Sequence, residues 1–117
     1  MKTVLIVEDV DLNIDLLVQL LEDEYHLLVA KDGAQGLALA EQQRPDLVLL
    51  DISLPVLDGY EVARRIRSMR PGLPVIGLSA HAMPGDVEKA LAAGCSDYLT
   101  KPVDEDLLFK KLHTHLG

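Results

Sequence analysis

The chain is short of most features that would narrow its chemistry by composition alone. It has one cysteine, Cys95, so no internal disulfide can form, a cysteine-rich zinc site is excluded, and a reducing, cytoplasmic setting is the expectation. Tryptophan is absent, and Tyr25, Tyr60, Tyr98 and Phe109 are too few aromatics for a base-stacking platform or an aromatic ligand box. Basic residues are outnumbered, 11 against 19 acidic, and the formal charge of -8 opposes direct contact with nucleic acid or anionic lipid while favouring basic or metal-ion partners. No apolar run approaches the ~20 residues of a membrane span, and Met1-Lys2 leads straight into a strand pattern, so a soluble, unprocessed chain without membrane insertion is expected. Linkers, low-complexity tracts and repeats are lacking too, and 117 residues read as one domain, 1–117, long enough for a core without staples.

What the chain does have is alternation. Short β-branched or leucine-rich runs at Thr3 to Val7, His26 to Ala30, Asp46 to Leu50, Pro74 to Leu78 and Asp97 to Thr100 predict five strands. Between and after them the apolar spacing predicts helices. The first carries Leu12, Leu16, Leu17, Leu20 and Leu21 between Asp11 and Asp23, and the second Ala34, Leu37 and Ala38 between Gly33 and Gln43, before Pro45. Val62, Ile66 and Met69 mark a third from Gly59, opened by Asp58. A fourth runs from Pro84 through Val87, Ala90 and Leu91 to a stop at Gly94, and a fifth, capped by Asp104, includes Leu107, Leu108, Leu112 and Leu116. Strands alternating with helices imply a parallel sheet joined by right-handed crossovers with helices on both faces, a three-layer α/β sandwich.

The polar residues fall where the strands end: Glu8-Asp9 after the first, Asp51 after the third, Ser79 after the fourth and Lys101 after the fifth. In a parallel sheet these ends share one edge, where ligands bind. Carboxylates crowded there would raise one another's pKa unless a cation compensates, and a hard divalent ion with oxygen ligands is the natural one. Magnesium suits better than zinc, because, of His26, His81, His113 and His115, only one falls close to this edge. A metal held by one or two carboxylates commonly shares a phosphoryl ligand, a lysine and a hydroxyl beside it suit phosphoryl oxygens, and a remaining carboxylate can act as nucleophile toward phosphorus.

Val4-Leu5-Ile6-Val7-Glu8-Asp9, Pro45 to Asp51, Leu54-Pro55 to Gly59, Ser79-Ala80 and Tyr98-Leu99-Thr100-Lys101-Pro102 together resemble the receiver domain of two-component response regulators, of the chemotaxis-receiver type, over essentially the whole chain. The resemblance implies a flavodoxin-like fold with strand order 2-1-3-4-5 and five helices. It implies that Asp51 is the phosphoacceptor, that Asp9 and Asp51 bind magnesium (or manganese) with Glu8 acting mainly through water, and that the backbone carbonyl of Ser53 completes the protein ligands. Ser79 and Lys101 would contact the phosphoryl group, Ser79 and Tyr98 would switch together, and Ser53 and His81 would tune the acyl-phosphate lifetime. A cis bond before Pro102 is implied as well. Two positions depart from the commoner pattern: Glu8-Asp9 stands where many receivers have two aspartates, and Ser79 where threonine is frequent.

The function implied is a phosphorylation switch, a cytoplasmic phosphoprotein in signal transduction. Its donor would be a histidine kinase or, in a phosphorelay, a histidine phosphotransfer protein, and its reader a downstream protein or output domain. Phosphatases that pass through an aspartyl phosphate carry an acidic residue two positions after the nucleophile, where this chain has Ser53. Receivers that have lost the chemistry usually lack an acidic residue, the phosphoacceptor or the lysine, and all are present here.

Overall fold

Runs of valine, isoleucine and leucine too short for buried helices form five parallel strands, β1 (Thr3–Val7), β2 (His26–Ala30), β3 (Leu47–Asp51), β4 (Val75–Ser79) and β5 (Asp97–Thr100). They alternate with α1 (Asp11–Leu21), α2 (Gly33–Gln42), α3 (Gly59–Met69), α4 (Asp86–Ala93) and α5 (Glu105–Leu116). The computed structural model describes residues 1–54, 58–80 and 85–117. Its sheet has the order β2-β1-β3-β4-β5, which the resemblance implied. β1, β2 and β5 have the bounds expected, and Asp51 and Ser79 prove to be the last rungs of their own strands, opposite Leu78 and Thr100.

Alternate residues of each strand face opposite layers. Leu5, Val7, Val48, Leu50 and Val75 meet Ala40 of α2, Val62, Ala63 and Ile66 of α3, and Ala90 and Ala93 of α4 on one face. Val4, Ile6, Leu47, Leu49, Ile76, Leu78 and Leu99 meet Leu17 and Leu21 of α1 and Leu108 and Leu112 of α5 on the other. Cutting one of these fully buried leucines to alanine would cost ~2–5 kcal/mol. Asp58 and Asp104 cap as expected, accepting from the backbone N–H groups of Glu61 at 2.9 Å and Leu107 at 3.0 Å, and Asp32 does the same for Gln35 at 2.7 Å. Gly94 closes α4 at φ 114, a left-handed conformation that favours glycine. Pro84, expected to open that helix, lies outside the described residues.

The helix faces correct the sequence reading. On α1 the buried residues are Ile14, Leu17 and Leu21, whereas Leu12 is 77% and Leu16 45% exposed. On α2 the sheet is met by Gly33, Gly36 and Ala40 rather than by Ala34 and Ala38; Gly36 approaches β1 so closely that an added Cβ would stand 2.9 Å from Val7 Cγ2. Met69, Val87, Leu91 and Leu107 are likewise exposed. Each helix buries one stripe, and apolar residues beyond that stripe remain at the surface. No described helix is long and apolar enough to cross a membrane.

Candidate functional site

Parallel pairing puts the carboxyl ends of β1, β3, β4 and β5 along one edge, with Val7 opposite Leu50, Asp51 opposite Leu78 and Ser79 opposite Thr100. β1 is prolonged by the Glu8 N–H donating to the Ala30 carbonyl at 2.9 Å, which turns the Glu8 side chain into the interior. Glu8 is 0% exposed and Asp51 3%, while Asp9 is more open. One carboxylate oxygen from each of the three lies within 4.8 Å of the others, the only such grouping among the described residues.

Lys101 enters this cluster from β5's end. Its backbone N–H donates to the Ser79 carbonyl at 2.7 Å, the following bond to Pro102 is cis, and its ammonium reaches across the edge. Nζ stands 3.1 Å from both Glu8 Oε1 and Oε2 and 3.4 Å from Asp51 Oδ2. The chain's own cation thus bridges two buried carboxylates. Burial pushes Glu8 up to about 7, and the adjacent Asp51 carboxyl adds to the rise; Asn13 and Lys101 oppose it. Desolvation therefore leads, and the charge repulsion from Asp51 that was read from the sequence is a smaller cause. The donor set is all carboxylate oxygen, which suits a hard divalent cation such as magnesium better than zinc.

The other residues singled out in the sequence lie around this core. The Ser53 N–H donates to Asp51 Oδ1 at 2.9 Å, so the loop holds one oxygen of that carboxylate while Lys101 faces the other. Ser79 is buried at the end of β4. Tyr98 stands inward at 9% exposure and belongs to the α2–α4 side of the core, beside Gly77, where an added Cβ would meet its ring at 3.6 Å. His81 lies outside the described residues.

Two participants escaped the sequence reading. Asn13 donates from Nδ2 to Glu8 Oε1 at 2.7 Å; its signal was a polar residue within the first turn of a leucine-rich helix. Gly59 lies against the backbone behind Asp51, where an added Cβ would fall 2.2 Å from Ile52 Cα and 2.6 Å from the Asp51 carbonyl oxygen. Only glycine fits there, and its place just before a helix's apolar face looked like an ordinary helix start.

Comparison with known proteins gives the site a context. The sequence model of the response regulator receiver domain matches residues 4–113. The polar-differentiation response regulator DivK of Brucella anthropi is 38% identical over 120 residues, covering 99% of this chain and 97% of its own. The receiver domain of the sensor histidine kinase PA1611 from Pseudomonas aeruginosa, solved with a magnesium ion coordinated in its active site cleft, superposes with a TM-score of 0.91 at 39% identity, covering 99% and 98% of the two chains. The receiver domain of the Saccharomyces cerevisiae response regulator Ssk1, solved in complex with the histidine phosphotransfer protein Ypd1, is similar with a TM-score of 0.90 at 32% identity, covering 97% and 88%.

Proposed function

The chain belongs to the response regulator receiver domain family, and on that premise we propose that Asp51 is its phosphoacceptor and that the domain, spanning 1–117, switches protein–protein interactions in a cytoplasmic two-component or phosphorelay pathway. The observation that carries this reading is Lys101, whose ammonium faces Asp51 Oδ2 at 3.4 Å from within a cluster of buried carboxylates. An aspartate held on one oxygen by the Ser53 N–H at 2.9 Å and facing an ammonium on the other is oriented for attack on phosphorus. As the P–O bond to Asp51 forms, the P–N bond to the donor's imidazole breaks and the ring keeps the electron pair.

Magnesium, or manganese, would be held by Asp9, Asp51 and the Ser53 carbonyl, with Glu8 acting through water, and supplies charge neutralisation for the transferring oxygens. Lys101 leaves Glu8 for a phosphoryl oxygen, and the Ser79 hydroxyl donates to another. Ser53 and His81 govern how readily water reaches the acyl phosphate, which sets its lifetime and any self-dephosphorylation. The donor is a histidine kinase or histidine phosphotransfer protein, a reading supported by the yeast complex. The readout is a downstream protein or output domain meeting α4, β5 and α5, without direct contact to nucleic acid.

Acetyl phosphate with magnesium tests the class of function. Stoichiometric labelling that stops is the expected result. Continuous release of phosphate would mark a hydrolase, and no label at all would mark a binding module that has lost the chemistry.

A further inference from the structure

The Glu8 carboxylate is fully buried beside the Asp51 carboxyl and has two nitrogen donors of different kinds. Asn13 Nδ2 donates to Oε1 at 2.7 Å, while Lys101 Nζ stands 3.1 Å from Oε1 and from Oε2 and also faces Asp51. An ammonium on a flexible stem follows negative charge, so new oxygens at Asp51 would draw Lys101 away from Glu8. The Asn13 amide is neutral and has no such pull. Its backbone belongs to the first turn of α1, which is anchored to the protein by Ile14, Leu17 and Leu21. Once Lys101 leaves, this amide is the hydrogen bond that keeps a buried carboxylate from losing both partners, a loss that would be costly.

We infer that Asn13 is a positioning residue of the cation site: by holding Oε1 it fixes the plane of the Glu8 carboxylate, so that Oε2, which faces Lys101, is aimed at the cation's coordination sphere when magnesium binds. The inference deepens the proposed function and rests on the reading of Glu8 as part of the metal site. Partners that orient a metal site's carboxylates typically matter by 10–100-fold in metal affinity.

The test is a calorimetric magnesium titration of the unphosphorylated chain. Asn13→Leu keeps the branched heavy-atom shape, removes the amide, and puts apolar bulk at a small groove that Asn13 lines with Leu16, Leu17, Leu78 and Val103. It should weaken magnesium binding at least roughly tenfold. Asn13→Gln, which keeps the amide, should recover part of the loss, and Asn13→Leu should add nothing in a Glu8→Gln background. Metal-free melting temperatures report folding separately. Wild-type magnesium affinity in Asn13→Leu overturns the inference, and so does an undiminished loss in the Glu8→Gln background. The Asp51 reading is judged apart from this: a wild-type chain that binds magnesium but takes no label defeats that reading, while the Asn13 titration still decides its own question.

Discussion

Lys101 faces oxygens of two buried carboxylates, and on the proposed reading it leaves them for the phosphoryl group. Lys101→Ala should therefore bind magnesium no more weakly than wild type, since no ammonium has to be displaced, yet lose the phosphorylation-dependent partner response; calorimetry and a partner-binding assay check the two halves. Glu8 gives a pH signature. Its pKa in the folded chain is about 7 against an ordinary 4.5, so in the metal-free protein its contribution to stability is complete below about 4.5 and is lost as pH rises through about 7. A divalent ion needs the carboxylate, so magnesium affinity should climb from about pH 6 to about pH 8 and the climb should vanish in Glu8→Gln, as titrations at several pH values would show. The Glu8, Asp51 and Lys101 cluster was readable from polar residues at strand ends. Asn13 and Gly59 were not, because one acts through a reach-back hydrogen bond and the other through the absence of a Cβ, and neither leaves a periodic trace.

At the scale of elements, strands were easier to read than helix faces. A strand buried on both sides is marked by an unbroken apolar run such as Leu47–Leu50, whatever its register. Helix α1 instead contains two interleaved ladders, Leu12-Leu16-Leu20 and Ile14-Leu17-Leu21, both at helical spacing, and docking on the sheet selected the second. The rejected ladder leaves Leu12 and Leu16 exposed, with Leu16 lining the groove beside Lys101. On the proposed reading, a protein donor that brings its phosphohistidine to Asp51 would cover this surface. Burying one leucine is worth ~1.5–3 kcal/mol, so Leu12→Asp should slow transfer from a phosphotransfer protein roughly tenfold or more. Labelling by acetyl phosphate, which covers no such surface, should be unchanged, and parallel rate measurements with the two donors check the contrast.

At the scale of the whole molecule, the proposed switch would run through β4 and β5. α5 is clamped to β5 by Asp97, whose carboxylate meets Lys111 Nζ at 2.7 Å and His115 Nε2 at 3.2 Å; burial alone would raise its pKa, but Lys111, the Tyr98 N–H and His115 outweigh that and hold it below the usual range. Tyr98, the next residue, packs inward on the opposite side of the sheet from α5, so on the proposed reading a shift of Ser79 toward a phosphoryl group would reach a ring packed on the α4 side. Coupling of this kind is typically worth ~1–3 kcal/mol. Tyr98→Ala should still be phosphorylated but bind its partner with little dependence on phosphorylation, measured as affinities with and without acetyl phosphate. All of this depends on where the phosphoryl group is attached. Borohydride reduction of the labelled protein, followed by peptide mass spectrometry, tests that most directly, because reduction converts an aspartyl phosphate to homoserine. The account predicts homoserine at position 51 and at no other aspartate, with none formed in Asp51→Ala. Homoserine at a different position, or label that survives in Asp51→Ala, would contradict it.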